Sequence, residues 1–205
     1  MKNSIKSTVK YIRELSVVVI GIAITFTLNN WINNNNEKRD IVQYLNAVKS
    51  ELENNLKIVE KNHEFYTETT EFGRLLSNYI NDSISKSSKK YNHIISNLFI
   101  VNYKTSALEM LKTSGTMRLI KNKALLNLIL ESYESIENAK QMSDLYMMKK
   151  MDELYDVVLN NYSSGISDLT NPKYKRYMYF FTTHLHIENL FEESKNLIKQ
   201  TLTLF

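Results

Sequence analysis

Apolar residues are distributed along this chain in two different ways. From Leu15 to Ile32 they are nearly contiguous: LSVVVIGIAITFTLNNWI holds eighteen residues without a charge, and the fourteen from Leu15 to Leu28 form its dense part. Beyond residue 36 they recur instead in steps of three and four. Ile41, Leu45, Val48, Leu52, Leu56 and Val59 thereby share one face of a helix. The pattern continues through Phe65, Tyr66, Phe72, Leu75, Leu76, Tyr79 and Ile80. It predicts a helix over 37–80, bent between His63 and Gly73. With no Pro or Gly between this helix and the apolar run, the two form one rod.

The remaining pattern is also helical. NDSISKSSKK at 81–90 reads as a polar loop, and YNHIISNLFIV at 91–101 as a short helix rather than a strand, since no partner strand is evident. Thr105 or Ser106 is placed to cap a helix over 107–113, which Gly115 ends in a left-handed conformation. A second long helix is expected over 123–161, with Leu126, Ile129, Tyr133, Ile136, Tyr146, Met151, Leu154 and Val158 on its apolar face. After a loop at 163–170, Asn171 caps and Pro172 opens a final helix running to Leu204, with Phe180, Leu185, Leu190 and Leu197 among its apolar positions. The fold class is all-α: an N-terminal transmembrane helix continuing into an antiparallel bundle of long helices. Gly 4 and Pro 1 leave too little turn chemistry for an all-β alternative.

Charge strengthens the membrane reading. Lys2, Lys6, Lys10 and Arg13 against Glu14 place +3 of the total +4 before the apolar run, leaving the rest of the chain nearly neutral. A basic lead beside an apolar run orients a membrane span, with the basic side cytoplasmic, and does not resemble a nucleic-acid footprint. Tyr11 and Trp31 stand twenty positions apart, about 30 Å along a helix, which matches the hydrocarbon thickness and the boundary preference of aromatic residues. Arg13 can snorkel to the inner headgroups. A cleaved signal peptide is the rival, but the run leaves through Thr27-Leu-Asn-Asn-Trp-Ile32 rather than through small residues. The expected organisation is a cytoplasmic basic segment at 1–14, an anchor at 15–32 and an extracytoplasmic helical domain at 37–205, in the inner membrane. Gly21 and Thr25 form a small-xxx-small pair within the anchor.

Several of these residues resemble an uncharacterised family of small single-pass membrane proteins abundant in Bacteroidetes. The family pattern, Gly-Glu-Ile, a Gly-Ile-containing aliphatic run and Asn-Asn-Trp, is matched by Glu14, Gly21, Ile22, Asn29, Asn30 and Trp31. Tyr44, Leu45, Glu51 and Leu52 match its next helix, and Leu111, Lys112, Ser114, Gly115, Leu119, Ile120 and Asn122 a later block. Arg13 stands where the family has Gly, and Thr113 where it has Ser. The resemblance covers 13–130. It implies membrane placement and no particular activity.

Candidate chemistry is sparse. With Cys 0, thiolate ligands, thiol nucleophiles and disulfides are excluded. Glu60 and His63 lie one helical turn apart, as in di-iron bundles, but no second such pair exists. His184 and Glu188 share a helix face, whereas His186 diverges from it by about 200°. Ser83 and Lys86 have the spacing of some acylating enzymes without an accompanying motif. Lys173, Lys175 and Arg176 alternate with Tyr174, Tyr177 and Tyr179, the pattern of a helix start with aromatic core residues. Met142, Met147, Met148 and Met151 suit a core or a flexible interface. The turn at Lys112, Thr113, Ser114, Gly115 and Thr116 gathers hydroxyls and amides at a helix junction, either as a ligand site or as a corner needing Gly.

No cofactor, metal, nucleic acid or catalytic set is expected. The leading expectation is a membrane-anchored scaffold or interaction module, self-associating through Ile41, Leu45, Val48, Leu52 and Val59 or binding a membrane partner. The second is a ligand-sensing bundle acting through a signalling partner.

Overall fold

The computed structural model describes residues 2–78, 94, 98, 101–160, 172–181 and 186–205, with the side chains of all of these except 2–14, 76–78, 157–160 and 172–175. Helix α1 runs Lys2–Asn78, 77 residues without interruption. At 1.5 Å per residue it is about 115 Å long. It continues through Gly73 without a break, with Thr69, Thr70 and Phe72 buried beside it. Helix α2 spans Ser106–Thr113, a 3-10 turn Thr116–Leu119, α3 Lys123–Asn160, α4 Pro172–Phe180 and α5 Ile187–Leu202. The described residues contain no strand. The expected loops at 81–90 and 163–170 lie outside them, as do the Asn171 cap, His184, Ser83 with Lys86, and nearly all of 91–101.

Pairs of contacts fix the directions of the helices. Glu51 meets Tyr133, and farther along Tyr66 meets Ser143, so α1 and α3 run parallel. Lys49 meets Phe205, Glu60 meets Lys199 and Thr67 meets Glu188, so α5 runs antiparallel to α1. It is likewise antiparallel to α3, through Ser132 with Thr201 and Ser135 with Ser194. These hydroxyl pairs are small, and with Ala139 they let α3 and α5 approach closely.

The expected final helix is two helices. Phe180 and Phe181 are both buried, Phe180 against Tyr146 and Phe181 against Phe72 and Tyr177. Neighbouring residues point about 100° apart on a helix. Phe181 sits in a turn instead, and α5 starts afresh after His186.

The core lies beyond the apolar run. Val48, Leu52 and Val59 are completely buried with Ile129, Ile136, Phe191 and Ile198, and Ile41 and Leu45 pack against the same cluster. Of the five residues read as an interaction face, Val48, Leu52 and Val59 are thus covered within the chain, and Ile41 and Leu45 are half-buried. By contrast every residue from Leu15 to Asn36 is exposed. This stretch includes an eighteen-residue window of mean hydropathy 1.8, none of it buried, so α1 carries one candidate membrane span.

Candidate functional site

Three polar constructions tie α1 to the rest of the bundle. The first begins with Glu51 of α1, only 6% exposed. Its Oε2 accepts from the Ser106 hydroxyl and the Ala107 amide, both at 2.9 Å, and its Oε1 from the Tyr133 hydroxyl at 2.6 Å. The expected caps are thus corrected. Thr105 occupies the N-cap position of α2 without a side-chain hydrogen bond, and Ser106 donates to Glu51. The carboxylate of a different helix satisfies the free amides and meets the positive end of the α2 dipole. Burial pushes the Glu51 carboxyl up, but hydrogen bonds from Tyr133, Ala107, Ser106 and Leu108 outweigh it, and the net shift is downward. Burial, then the Glu51 charge, pushes the Tyr133 phenol up. An ionised acceptor facing a held phenol is a clasp, with no proton to transfer near neutrality. One turn on, the buried Asn55 donates to the Lys104 carbonyl at 2.8 Å and accepts from its amide at 2.9 Å.

The second construction is the α1–α5 seam. Glu60 forms an ion pair with Lys199 at 2.8 Å, and His63 Nδ1 lies 3.4 Å from Lys195 Nζ. Each member of the candidate metal pair thus faces a lysine, a poor setting for a cation. Among the described residues no group of three His, Asp or Glu side chains is placed to hold a metal ion. Glu188 accepts from Thr67 at 3.0 Å. The Asn62 Oδ1 and His63 Nε2 atoms are buried without a protein partner.

The third is Lys150, whose side chain is 0% exposed. Its ammonium donates to the Ile94 carbonyl and lies 5.9 Å from the centroids of Phe65 and of Phe181. Desolvation pushes its pKa down to about 8. Around it Tyr66 stacks on Phe191 and meets Tyr146 edge-on, while donating or accepting with Ser143 at 2.7 Å. Lys150 thus gathers α1, α3, Phe181 and the stretch before α2 around one charge.

The junction turn is a corner. Gly115 has φ 69°, the left-handed conformation expected of it. Ser114 donates to the Leu111 carbonyl at 2.9 Å, Thr116 approaches Ser114 at 2.7 Å, and Thr113 donates to the Glu109 carbonyl at 2.8 Å. Its hydroxyls are spent within the turn, and Lys112 pairs with Glu109 at 3.2 Å. Asn122 then caps α3 by accepting from the Leu125 amide at 3.0 Å.

On α1, Trp31 is exposed at the far end of the apolar run; Tyr11 and Arg13 lie on the same helix, their side chains outside those described. The methionines divide. Met147 is buried, whereas Met142, Met148 and Met151 are exposed; Leu145, Met148, Met151 and Tyr155, all exposed, lie along one side of α3. Met151 was expected in the core; the residue there is Lys150, one position and about 100° away. Compared with known protein families, curated proteins and solved structures, the chain shows no significant match.

Proposed function

We propose that this protein is a single-pass membrane-anchored helical module that binds a partner protein and has no catalytic activity of its own. The observation that carries the proposal is the continuity of α1. Its uncovered apolar stretch and the helix at the centre of the bundle are parts of one unbroken element. A soluble protein would have to leave the apolar stretch in water. Burying its large side chains in lipid instead gains roughly 1.5–3 kcal/mol for each. The basic lead supports an orientation with the N-terminus in the cytoplasm and the bundle on the far side of the inner membrane. The resemblance of Gly21, Ile22, Asn29, Asn30 and Trp31 to the anchor pattern of the Bacteroidetes family supports the same placement.

With Val48, Leu52 and Val59 buried, the partner surface we assign is the side of α3 carrying Leu145, Met148, Met151 and Tyr155. Flexible, polarisable methionine side chains suit it to an apolar helix face on a membrane protein. Topology reporters fused after residue 10 and after residue 40 test the placement. The reading requires cytoplasmic activity from the first and extracytoplasmic activity from the second; equal cytoplasmic activity from both contradicts it.

A further inference from the structure

The corner between α2 and α3 is basic. Between Glu109, which pairs with Lys112, and Glu131 the chain carries Lys112, Arg118, Lys121 and Lys123 and no Asp or Glu. Arg118, Lys121 and Lys123 are all exposed, and Lys123 spends one N–H on the Arg118 carbonyl at 3.4 Å without losing charge. The corner's own hydroxyls leave nothing for a small ligand.

Its height above the bilayer follows from helix geometry. Tyr133 is level with Glu51, and α3 runs parallel to α1. Lys123, ten residues before Tyr133, therefore lies about 15 Å closer to the anchor than Glu51 does. Glu51 is nineteen residues beyond Ile32, about 29 Å. The basic corner thus stands about 14 Å beyond the end of the apolar run. A headgroup layer occupies roughly 5–8 Å of that interval. The remaining gap is close to a Debye length, about 8 Å at physiological ionic strength, and extended Lys and Arg side chains reach into it.

We infer that the α2–α3 corner, through Arg118, Lys121 and Lys123, docks on anionic lipid headgroups of the bilayer that holds α1. The inference rests on the membrane-anchored reading. A rigid helix sets the height of the bundle, and attraction to the negatively charged surface sets which side of it leans towards the lipid. On α1 itself, Lys38 and Arg39 are balanced by Glu37 and Asp40, so the corner supplies the asymmetry.

The test uses the full chain, which has no cysteine, with Thr113→Cys carrying a donor fluorophore and acceptors on the lipid headgroups. Protein is reconstituted into phosphatidylcholine vesicles with and without phosphatidylglycerol. Energy transfer should rise with phosphatidylglycerol and fall back to the neutral-lipid value as salt is raised. The rise should be lost in Arg118→Glu/Lys121→Glu/Lys123→Glu with circular dichroism unchanged. Equal transfer in the two lipids, or a rise that survives high salt, overturns the inference, and the salt arm decides even if the triple variant misfolds. Flotation with neutral vesicles reports on the anchor separately: failure to float contradicts the anchored reading, whereas flotation with lipid-independent transfer contradicts only the docking.

Discussion

The Tyr133 hydroxyl reaches the Glu51 carboxylate at 2.6 Å, joining two helices 82 residues apart in sequence. The same carboxylate holds the start of α2, so one side chain of α1 fixes both elements that form the basic corner. Glu51→Ala should leave buried donors unsatisfied and cost about 3 kcal/mol, read from denaturant unfolding of the detergent-solubilised chain. Tyr133→Phe should cost about half as much. Because the folded carboxyl titrates below its usual value, unfolded chains take up its proton first as the medium is acidified. Stability from Glu51 is thus complete above the ordinary carboxylate value and fades as pH falls through the lower folded one. Glu51→Gln should remove that portion of the acid sensitivity.

Lys150 gives a pH signature of the same sign in the alkaline range. Its folded value is about 8 against an ordinary 10.5. Between the two, unfolded chains hold the proton and folded chains do not. Stability should rise across this window by up to about 1.4 kcal/mol per pH unit. Lys150→Met should flatten the slope in melts taken from pH 7 to 10.

Gly115 tests backbone conformation apart from packing. A Cβ there would meet nothing within 4 Å, yet φ is +69°. Gly115→Ala should therefore destabilise by about 1–2 kcal/mol through strain alone, and Gly115→Asn by less. Comparison of their unfolding midpoints at equal slope checks this.

Rigidity of the neck is separable from stability of the bundle. Spin labels at Leu28→Cys and Gln43→Cys, both exposed, should give a narrow distance distribution near about 22 Å. Adding Asn35→Pro should broaden it by interrupting the helix while leaving the Tm of the bundle unchanged. A narrow distribution retained with proline would contradict a neck, residues 28–43, kept rigid by the unbroken helix.

Core and partner surface should respond differently to truncation. Leu52→Ala should cost about 2–5 kcal/mol, since the side chain is completely buried. Met148→Ser, on the exposed side of α3, should stay within about 0.5 kcal/mol. A large loss of stability at Met148 would place it in packing, not at a surface for a partner.

Much of this architecture is written in local pattern. The uncharged run, the steps of three and four after it, Pro172 at a helix start and Gly115 at a left-handed position each depend on neighbouring residues only. What periodicity cannot carry is the identity of the partner across a face. The Ile41–Val59 stripe looks the same whether it meets α3 and α5 or a second chain. The parallel course of α1 and α3 is shown by contacts between residues far apart in sequence, which no local rule fixes. Glu51 and Asn55 read as polar punctuation on a helix, because the groups they satisfy lie 49 to 82 residues away. Lys150 was hidden for a related reason: Met151 beside it is the residue an apolar pattern selects, and a difference of one position exchanges core for surface.

Trp31, the only tryptophan, gives the most direct measurement of the central claim that α1 crosses the bilayer and projects the bundle beyond it. Nothing in the protein shields it, since it is 63% exposed. In full-length protein reconstituted into vesicles, its emission should be blue-shifted and quenched most strongly by lipids brominated near the headgroups, with little effect of aqueous iodide. Emission typical of a fully hydrated indole, quenched by iodide and indifferent to brominated lipid, would contradict the account.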